Sequence, residues 1–417
     1  MNNQIEIKQC RGCGSQNLTP ILSLGEQYVT NFIDREEQQG QKIPLEIVLC
    51  EDCKLLQLKH NAPPETMWAD QYWYKSGISS TIKNDLKDIV EKARSLKRLS
   101  KEDLIIDIGC NDGTLLSFYE HPKDNLIGFE PSKNVAKESK EKGFNVINNF
   151  FNSQNFKEKF GEKKAKIITA ISMFYDLEDP NSFLKDITEI LDKDGLFIIQ
   201  QNYLLSMLEE NAFDNICHEH REYYSFISLK NILKKYNLEI FDASLNEING
   251  GSIRTYIKFA DNSSLIGFEE AQKRIKEIEQ KEKDMELETL KPYVDFASRI
   301  SSIKQELTSF LRGKKAEGKK IWIYGASTRG NVILQYFDLT TKLVEFIADK
   351  NPDKWGKKTV GSMIPIVKPE KIIKENPNYL LVNVWHFFKE VKEQEKEWFN
   401  KGGIFLVPLP NFKIVKE

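Results

Sequence analysis

The stretch that decides the fold is Leu104-Ile105-Ile106-Asp107-Ile108-Gly109-Cys110-Asn111-Asp112-Gly113. It is an apolar strand that ends in an acid and two glycines, which allow a sharp turn and a close approach of the backbone to a ligand. Further apolar strands, at 126–130, 144–148, 166–172 and 196–201, alternate with amphipathic helical segments. This alternation predicts a doubly wound α/β domain with a parallel sheet.

A second acid, Glu130, ends the strand that follows in this pattern. A carboxylate at that position accepts hydrogen bonds from ribose hydroxyls. The dinucleotide fingerprint G-x-G-x-x-G is absent, and D-x-G-x-x-x-G followed by an acid resembles the S-adenosylmethionine site of class I methyltransferases. The residues that we expect to bind this methyl donor are Asp107, Gly109, Asn111, Asp112, Gly113 and Glu130. Another nucleotide and a plain loop are the alternatives.

Four of the six cysteines form two C-x-x-C pairs, Cys10 with Cys13 and Cys50 with Cys53. In a reducing compartment this pattern predicts a tetrahedral zinc site, because two intervening residues let both thiolates face one ion. All four ligands are protein thiolates, so no coordination position is open and we expect the zinc to be structural and remote from catalysis. Four unrelated thiols are the alternative.

The composition is that of a soluble globular protein with two or three domains. The 417 residues include 60 basic and 62 acidic side chains, and 40% of the residues are hydrophobic. The absence of a basic excess argues against nucleic acid as a partner. No apolar run is long enough to span a membrane, and the N-terminus carries no secretory signal. We therefore expect a cytoplasmic protein without a membrane partner.

A second glycine-rich turn lies at Tyr324-Gly325-Ala326-Ser327-Thr328-Arg329-Gly330-Asn331, between an apolar strand and a helix. The N–H groups that begin this helix, together with Arg329, suit a phosphate or diphosphate, and Asp349 at the end of the next strand suits a ribose. Packing alone is the alternative. Apolar strands at 320–327, 342–349, 379–385 and 403–410 predict a second α/β domain. We interpret the charged stretch 269–312 as a solvated connecting helix.

Two of the five histidines lie in Cys217-His218-Glu219-His220-Arg221-Glu222-Tyr223-Tyr224. A neutral histidine can remove a proton near neutral pH, and a neighbouring carboxylate can orient it. This favours acid–base chemistry over a metal site, since H-E-H does not offer the helical i, i+4 spacing; a structural polar cluster is the other alternative. Further along, Gly250-Gly251 permits close backbone approach and Arg254 suits a phosphate.

Together with the cysteine pairs, the motifs H-E-H-x-x-Y-x-S, G-G-S-x-R, G-A-S-x-x-G-N and D-x-N-P-x-K resemble the deoxysugar C-methyltransferases, which methylate a carbon of nucleotide-linked keto-sugars. The resemblance covers essentially the whole chain. It implies a zinc-binding module at 1–75, a Rossmann-like methyltransferase domain that binds S-adenosylmethionine at 76–245, and a second Rossmann-like α/β domain that binds the nucleotide-sugar at 246–417. It also implies that Tyr72 or Tyr74 reaches the donor, and we expect Gln201 to close the pocket with them.

The resemblance implies that His220 is the base and that Glu219 orients it. Two positions depart from the family: Cys217 replaces a tyrosine implicated in the reaction, and Asp176 lies near the place of a histidine. We therefore expect Tyr223, Tyr224 or Cys217 to serve the enolate oxygen or a nearby hydroxyl. The expected substrate-binding residues are Arg254, Ser327, Arg329, Gly330, Asn331, Asp349 and His386.

The resemblance implies C-methylation of a nucleotide-linked keto-sugar, through an enolate that a base generates, for the biosynthesis of branched sugars. An O-methyltransferase acting on a sugar hydroxyl is the first alternative. A non-catalytic protein that binds nucleotide-sugars is the second.

Overall fold

The structure is a computed structural model of the chain, and it describes residues 6–29, 32–63, 67, 72–265 and 269–417. Parts of the expected module 1–75 therefore lie outside the described residues. Within the described ranges the strands, in chain order, are β1 (Leu18–Tyr28), β2 (Phe32–Ile33), β3 (Lys42–Cys50), β4 (Leu56–Leu58), β5 (Leu104–Ile108), β6 (Leu126–Phe129), β7 (Asn145–Ile147), β8 (Ala165–Ile171), β9 (Leu191–Asn202), β10 (Glu222–Tyr223), β11 (Leu238–Asn246), β12 (Ser252–Phe259), β13 (Ile321–Tyr324), β14 (Ile347–Ala348), β15 (Lys358–Thr359), β16 (Ile366–Val367), β17 (Tyr379–Val382), β18 (Ile404–Val407) and β19 (Lys413–Val415).

The α-helices of the same ranges are α1 (Ser80–Leu96), α2 (Lys133–Glu141), α3 (Ser153–Phe160), α4 (Pro180–Ile190), α5 (Leu204–Glu209), α6 (Phe226–Lys234), α7 (Glu269–Asp284), α8 (Lys291–Ala316), α9 (Thr328–Tyr336), α10 (Lys371–Glu375), α11 (Phe388–Gln394) and α12 (Lys396–Phe399). Among the residues described, no helix is long and apolar enough to cross a membrane.

The central sheet has seven strands in the order β11-β12-β9-β8-β5-β6-β7. Its five strands from β5 to β9 are parallel and occupy the places that the apolar runs predicted, with every residue of β5 buried. The chain moves from β5 to one side through β6 and β7, and then to the other side through β8 and β9. The direction therefore switches between β5 and β8, and such a switch point opens a crevice at the carboxyl ends of the strands.

The antiparallel strands β11 and β12 complete the central sheet, because β12 pairs with both β11 and β9. The family resemblance implies that the third domain begins at residue 246. The structure instead places Ser252–Phe259 in the central sheet, since these residues share hydrogen bonds with β9.

The N-terminal residues form a sheet in the order β1-β3-β4-β10, whose last strand comes from the middle of the chain. In the antiparallel pair of β10 and β4, Glu222 lies opposite Gln57 and Tyr223 lies opposite Leu56. The segment that carries H-E-H is therefore hydrogen-bonded to the cysteine-bearing module rather than to the sheet that precedes it in sequence.

The third part of the chain forms a sheet in the order β16-β14-β13-β17-β18-β19, with β13, β14, β16, β17 and β18 parallel. Each of the four predicted apolar runs supplies one of these strands. The expected second Rossmann-like α/β domain is thus confirmed as a fold.

The stretch 269–312 contradicts the sequence interpretation, because it is not one solvated helix. It forms the two helices α7 and α8, and α8 buries Tyr293, Phe296, Ile300 and Leu307 completely. The many charged residues of this stretch obscured the apolar periodicity of α8. One face of this helix is apolar and packs in the main hydrophobic core.

Helix α7 also carries a buried acid, Glu282, which is only 1% exposed. Its carboxylate accepts hydrogen bonds from the N–H groups of Phe226 and Ile227, which begin α6, and from the hydroxyl of Tyr203 at 2.8 Å. Glu282 therefore caps a helix that lies far from it in sequence.

We predict that Glu282→Ala lowers the free energy of unfolding by about 2–4 kcal/mol, because it leaves buried N–H and O–H donors without an acceptor. The control is Glu279→Ala on the same helix, whose carboxylate pairs with Lys230 at 2.8 Å near the surface. That change should cost about 0.5 kcal/mol or less. Urea unfolding of the two variants checks this, and equal midpoints would contradict it.

Candidate active site

A cavity of about 320 Å³ opens at the carboxyl ends of β5, β6 and β8. Six of the nine residues expected to bind the methyl donor line it: Tyr72, Tyr74, Asp107, Gly109, Asn111 and Glu130. The crevice thus lies where the switch in sheet topology predicts it.

The acids Asp107 and Glu130 hold fixed positions in this cavity. Asp107 accepts a hydrogen bond from the hydroxyl of Thr169 at 2.7 Å, and Glu130 accepts from the N–H groups of Asn111 at 3.0 Å and Ser132 at 2.8 Å. Burial raises the pKa of Asp107 to about 7, and the charge of Glu130 adds to this rise. Each oxygen of Glu130 has two lone pairs and accepts one backbone N–H, so it can still accept from ribose hydroxyls.

The turn after β5 keeps its backbone close to the cavity. Gly109 has a φ of +71°, and an added Cβ would lie 3.2 Å from Cγ of Met173, which also lines the cavity. The amide of Asn111 accepts from the N–H of Ser76 and donates to the carbonyl of Tyr74, at 3.0 and 3.1 Å. These bonds hold the segment with Tyr72 and Tyr74 against the turn.

Three of the expected donor-binding residues do not line the cavity. Asp112 accepts from the N–H of Gly77, and an added Cβ on Gly113 would meet Oγ of Ser139 at 2.5 Å, so both residues serve packing. Gln201 points away from the cavity because successive side chains of a strand face opposite sides, and Gln200 lines it instead.

The four cysteine side chains Cys10, Cys13, Cys50 and Cys53 converge, with all Sγ atoms within 4.8 Å of one another. The closest pairs are 3.5 Å apart. Four thiolates at about 2.3 Å from a tetrahedral zinc ion stand about 3.8 Å apart, so the cluster fits zinc with little adjustment. The side-chain amide of Gln57 donates to Sγ of Cys10 at 3.1 Å, as supporting groups around thiolates do.

The first cysteine turn also contacts the central domain directly. The carbonyl of Gly12 accepts from Nζ of Lys235 at 2.6 Å, and the carbonyl of Arg11 accepts from the amide of Asn181 at 2.6 Å. The metal module is thus docked on α4 and the end of α6.

His220 is half-buried beside this module, and its ring is oriented by the backbone. Nδ1 lies 3.0 Å from the carbonyl of Asn215, which can only accept, so Nδ1 carries the hydrogen and Nε2 has a free lone pair. The ring of Tyr175 packs against it at 4.5 Å between centroids. Burial lowers the pKa of His220 to about 3, and the charge of Arg329 adds to this shift. The ring is therefore neutral at physiological pH.

Of the side chains expected to assist His220, three lie in the core. The hydroxyl of Tyr223 donates to the carbonyl of His220 at 3.0 Å, Tyr224 packs against Phe174, and Cys217 is 1% exposed. The structure therefore does not direct these three groups toward a ligand. Glu219 contacts the hydroxyl of Thr328 at 3.3 Å, at the first turn of α9.

The turn before α9 is built largely by its own polar groups. Ser327 caps the helix by accepting from the N–H of Gly330 at 2.9 Å, and Asp349 accepts from the N–H of Ala326 at 2.7 Å. Gly330 abuts Asn383, and Asn331 is buried. These expected substrate-binding residues thus shape the turn, and their binding role remains a prediction.

The charge of Arg329 acts on both His220 and His386, so both histidines lie near this guanidinium. Arg329 forms an ion pair with the fully buried Asp214 at 2.8 Å and donates to the carbonyl of Asn249 at 2.6 Å. Burial lowers the pKa of His386 well below its usual range, and the charge of Arg329 adds to this shift. Asn249 also lines the donor cavity, so the donor cavity and the His220 region adjoin.

Arg254 was expected to bind a phosphate, and this role remains a prediction that its contacts do not favour. It lies on β12 and is 4% exposed. Its guanidinium binds Asp85 at 2.8 Å, Asp88 at 2.6 Å and Gln200 at 2.7 Å. Two carboxylates of α1 already neutralise this cation, which fixes α1 on the sheet.

Sequence reasoning missed Asn215 and Arg221, and it named Asp176 without giving it a role. The carbonyl of Asn215 orients the ring of His220, Asp176 lines the donor cavity, and Arg221 donates to the carbonyls of Asp176 and Ala62, both at 3.1 Å. Arg221 directly follows His220 in the H-E-H motif, and that position was the available signal.

The doubly wound sheet, the acids at its strand ends and the cavity between them define a class I methyltransferase. Residues 80–243 match the family described as "Methyltransferase domain", residues 247–410 match "C-methyltransferase C-terminal domain", and residues 10–68 match "Putative zinc binding domain".

Individual proteins are also similar to all or part of this chain. The C-methyltransferase NovU of Streptomyces niveus is 28% identical over 418 residues, covering 98% of this chain and 97% of that protein. The tRNA U34 carboxymethyltransferase of Sulfurimonas denitrificans is 26% identical over 196 residues, covering 40% of this chain and 62% of that protein. A solved S-adenosylmethionine-dependent methyltransferase from Clostridium acetobutylicum is 12% identical with a TM-score of 0.33, covering 42% of this chain and 92% of that one.

The chain is therefore an S-adenosylmethionine-dependent C-methyltransferase with a structural zinc module at its N-terminus.

We predict that Tyr74→Ala weakens the binding of S-adenosylmethionine about tenfold, because the aromatic ring forms part of the cavity wall. The matched control is Ile78→Ala: both side chains are 45% exposed, and Ile78 is not part of the cavity lining. Isothermal titration calorimetry gives both affinities. Equal affinities for the two variants would exclude Tyr74 from the donor site.

Proposed function

We propose that this enzyme transfers a methyl group to a carbon beside the ketone of a nucleotide-linked sugar, with His220 as the base. The observation that carries the proposal is the tautomer of His220. The hydrogen bond from its Nδ1 to Asn215 leaves Nε2 as an acceptor, and no side chain or backbone group in the described part of the chain binds Nε2. A neutral imidazole with a free nitrogen suits proton abstraction.

The base lies between two binding regions. On one side, Asn249 and Asp176 belong to the donor cavity. On the other, Arg329 and His386 belong to the third domain, in which the resemblance puts the nucleotide-sugar. Arg329 is held by Asp214, so it offers a cation at a fixed position rather than on a mobile side chain. This arrangement supports an acceptor that reaches from the third domain to His220.

The proposed reaction begins when Nε2 of His220 takes a proton from the carbon next to the carbonyl. The electron pair of the C–H bond forms a C=C bond, and the carbonyl oxygen gains the negative charge. Bound S-adenosylmethionine supplies the electrophilic methyl group that this carbon accepts. The carboxylates of Glu130 and Asp107 suit the ribose and the positive charge of the donor, and the cavity fixes the donor's orientation relative to the acceptor.

Two alternatives predict different chemistry at the same residues. An O-methyltransferase would use His220 to deprotonate a hydroxyl and would need no ketone. A non-catalytic binding protein would not need a base with a free Nε2. The match of residues 247–410 to a C-methyltransferase domain favours a carbon acceptor over an oxygen acceptor.

We predict that His220→Asn slows both methyl transfer and solvent deuterium exchange by about 10²–10⁴-fold, because the base is lost. Donor affinity should remain, since His220 is not part of the cavity lining. The control is His121→Asn, whose ring binds the carbonyl of Asp103 at 2.8 Å away from the site. Mass spectrometry of nucleotide-linked keto-sugars incubated with the enzyme in D₂O measures both the methyl group and the deuterium that the sugar gains. Normal turnover in His220→Asn would overturn the assignment of the base.

The pKa of His220 also predicts the pH profile. An ordinary histidine has a pKa of about 6.5, so half of its neutral, basic form is lost when the pH falls to that value. Because the pKa of His220 is lowered to about 3, its neutral form persists as the pH falls from 8 to 5. We therefore expect kcat/KM for the acceptor, at saturating donor, to stay level over this range. A fall with a midpoint between about 6 and 7 would contradict the buried, neutral base.

A further inference from the structure

Asp176 is a carboxyl group in the wall of the donor cavity to which the proposed mechanism gives no task. It ends the short helix Phe174–Asp176 that follows β8. Its Oδ1 is buried and has no hydrogen-bond partner among the described residues. A buried polar oxygen without a partner is costly, so its presence at a cavity points to a ligand group that completes the contact.

The backbone fixes Asp176 relative to the base. Arg221, the residue after His220, donates its N–H to the carbonyl of Tyr175 at 2.8 Å and its guanidinium to the carbonyl of Asp176 at 3.1 Å. The ring of Tyr175 in turn packs on His220. The carboxyl group and the base are therefore carried by two segments that are hydrogen-bonded side by side.

The surroundings of Asp176 favour its protonated form. Burial raises the pKa of Asp176 well above its usual range; the charges of Glu219 and Glu222 add to this rise, and Arg221 opposes it. The other titratable groups that face Asp176 are Tyr72, Tyr175, Cys217 and Tyr223. A protonated carboxyl offers an O–H donor, and a carboxylic acid kept neutral in this way can stabilise a developing oxyanion.

We propose that Asp176 donates the hydrogen bond that stabilises the enolate oxygen of the acceptor. This inference rests on the proposed function and adds a second catalytic residue to it. As Nε2 of His220 takes the proton from carbon, the C–H electron pair forms the C=C bond and the carbonyl π pair moves onto oxygen. The O–H of Asp176 donates to that oxygen, and reversal of the same steps restores the ketone without another reactant.

Asp176 suits this task better than the residues expected from sequence. The hydroxyl of Tyr223 is already engaged by the carbonyl of His220, and a thiol such as Cys217 is a weak donor. Neither side chain lines the donor cavity, whereas Asp176 does.

The test measures exchange of the acceptor proton in D₂O without methyl donor, so that it reports enolisation alone. Asp176→Ala should slow exchange by about 10²–10³-fold, as loss of one oxyanion donor does. Asp176→Asn keeps a neutral N–H donor of the same shape and should stay within about tenfold of wild type. Asp186→Ala, which removes a half-buried acid of α4 that accepts a hydrogen bond from Ser153 at the start of α3, should change nothing.

Two exchange results would overturn the inference. One is exchange by Asp176→Ala at nearly the wild-type rate, and the other is an Asn variant as slow as Ala, which would show that an anionic carboxylate is needed. An infrared difference spectrum of wild type against Asp176→Asn at pH 7, without any ligand, should contain a protonated carboxyl band; its absence would also overturn the inference. If the wild type exchanges no keto-sugar proton, the proposed function itself fails.

Discussion

The rest of the structure depends on the pairing of β10 with β4, which ties the H-E-H segment to the zinc module. The N–H of Leu58 donates to the carbonyl of Arg221 at 2.8 Å, and the ring of His218 binds the carbonyl of Ile43 at 3.1 Å. The same segment reaches the central domain through Arg221 and Tyr175. The segment that carries His220, the proposed base, is thus held between two domains by hydrogen bonds to backbone carbonyls.

This constraint explains why the site needs all three parts of the chain. The central domain provides the donor cavity, and the zinc module fixes the segment that carries His220, the proposed base. The third domain contacts the residues just before that segment. Arg329 and Trp385 of this domain both bind the buried carboxylate of Asp214. Gly250 permits this contact, because an added Cβ would lie 2.9 Å from the ring of Trp385.

Local patterns predicted much of this arrangement, because strands, cysteine pairs and glycine turns are encoded by neighbouring residues. The parallel strands, the convergence of the four cysteines and the cavity at Asp107 and Glu130 follow from such patterns. Sequence could not show which strand pairs with β10, or that Arg254 meets two acids of α1, since these contacts join distant residues. Gln201 was expected in the donor cavity, but its neighbour Gln200 lines it. Successive side chains of a strand face opposite sides, so an error of one residue puts the side chain on the wrong face of the sheet.

The most direct test of this account is hydrogen–deuterium exchange of residues 217–224, followed by mass spectrometry, in the zinc-loaded protein and in Cys50→Ser. Loss of the metal should deprotect both the module and residues 217–224 and abolish methyl transfer, while affinity for S-adenosylmethionine changes by less than about tenfold. If residues 217–224 stay protected and methyl transfer persists while the module opens, the zinc module does not hold the catalytic segment.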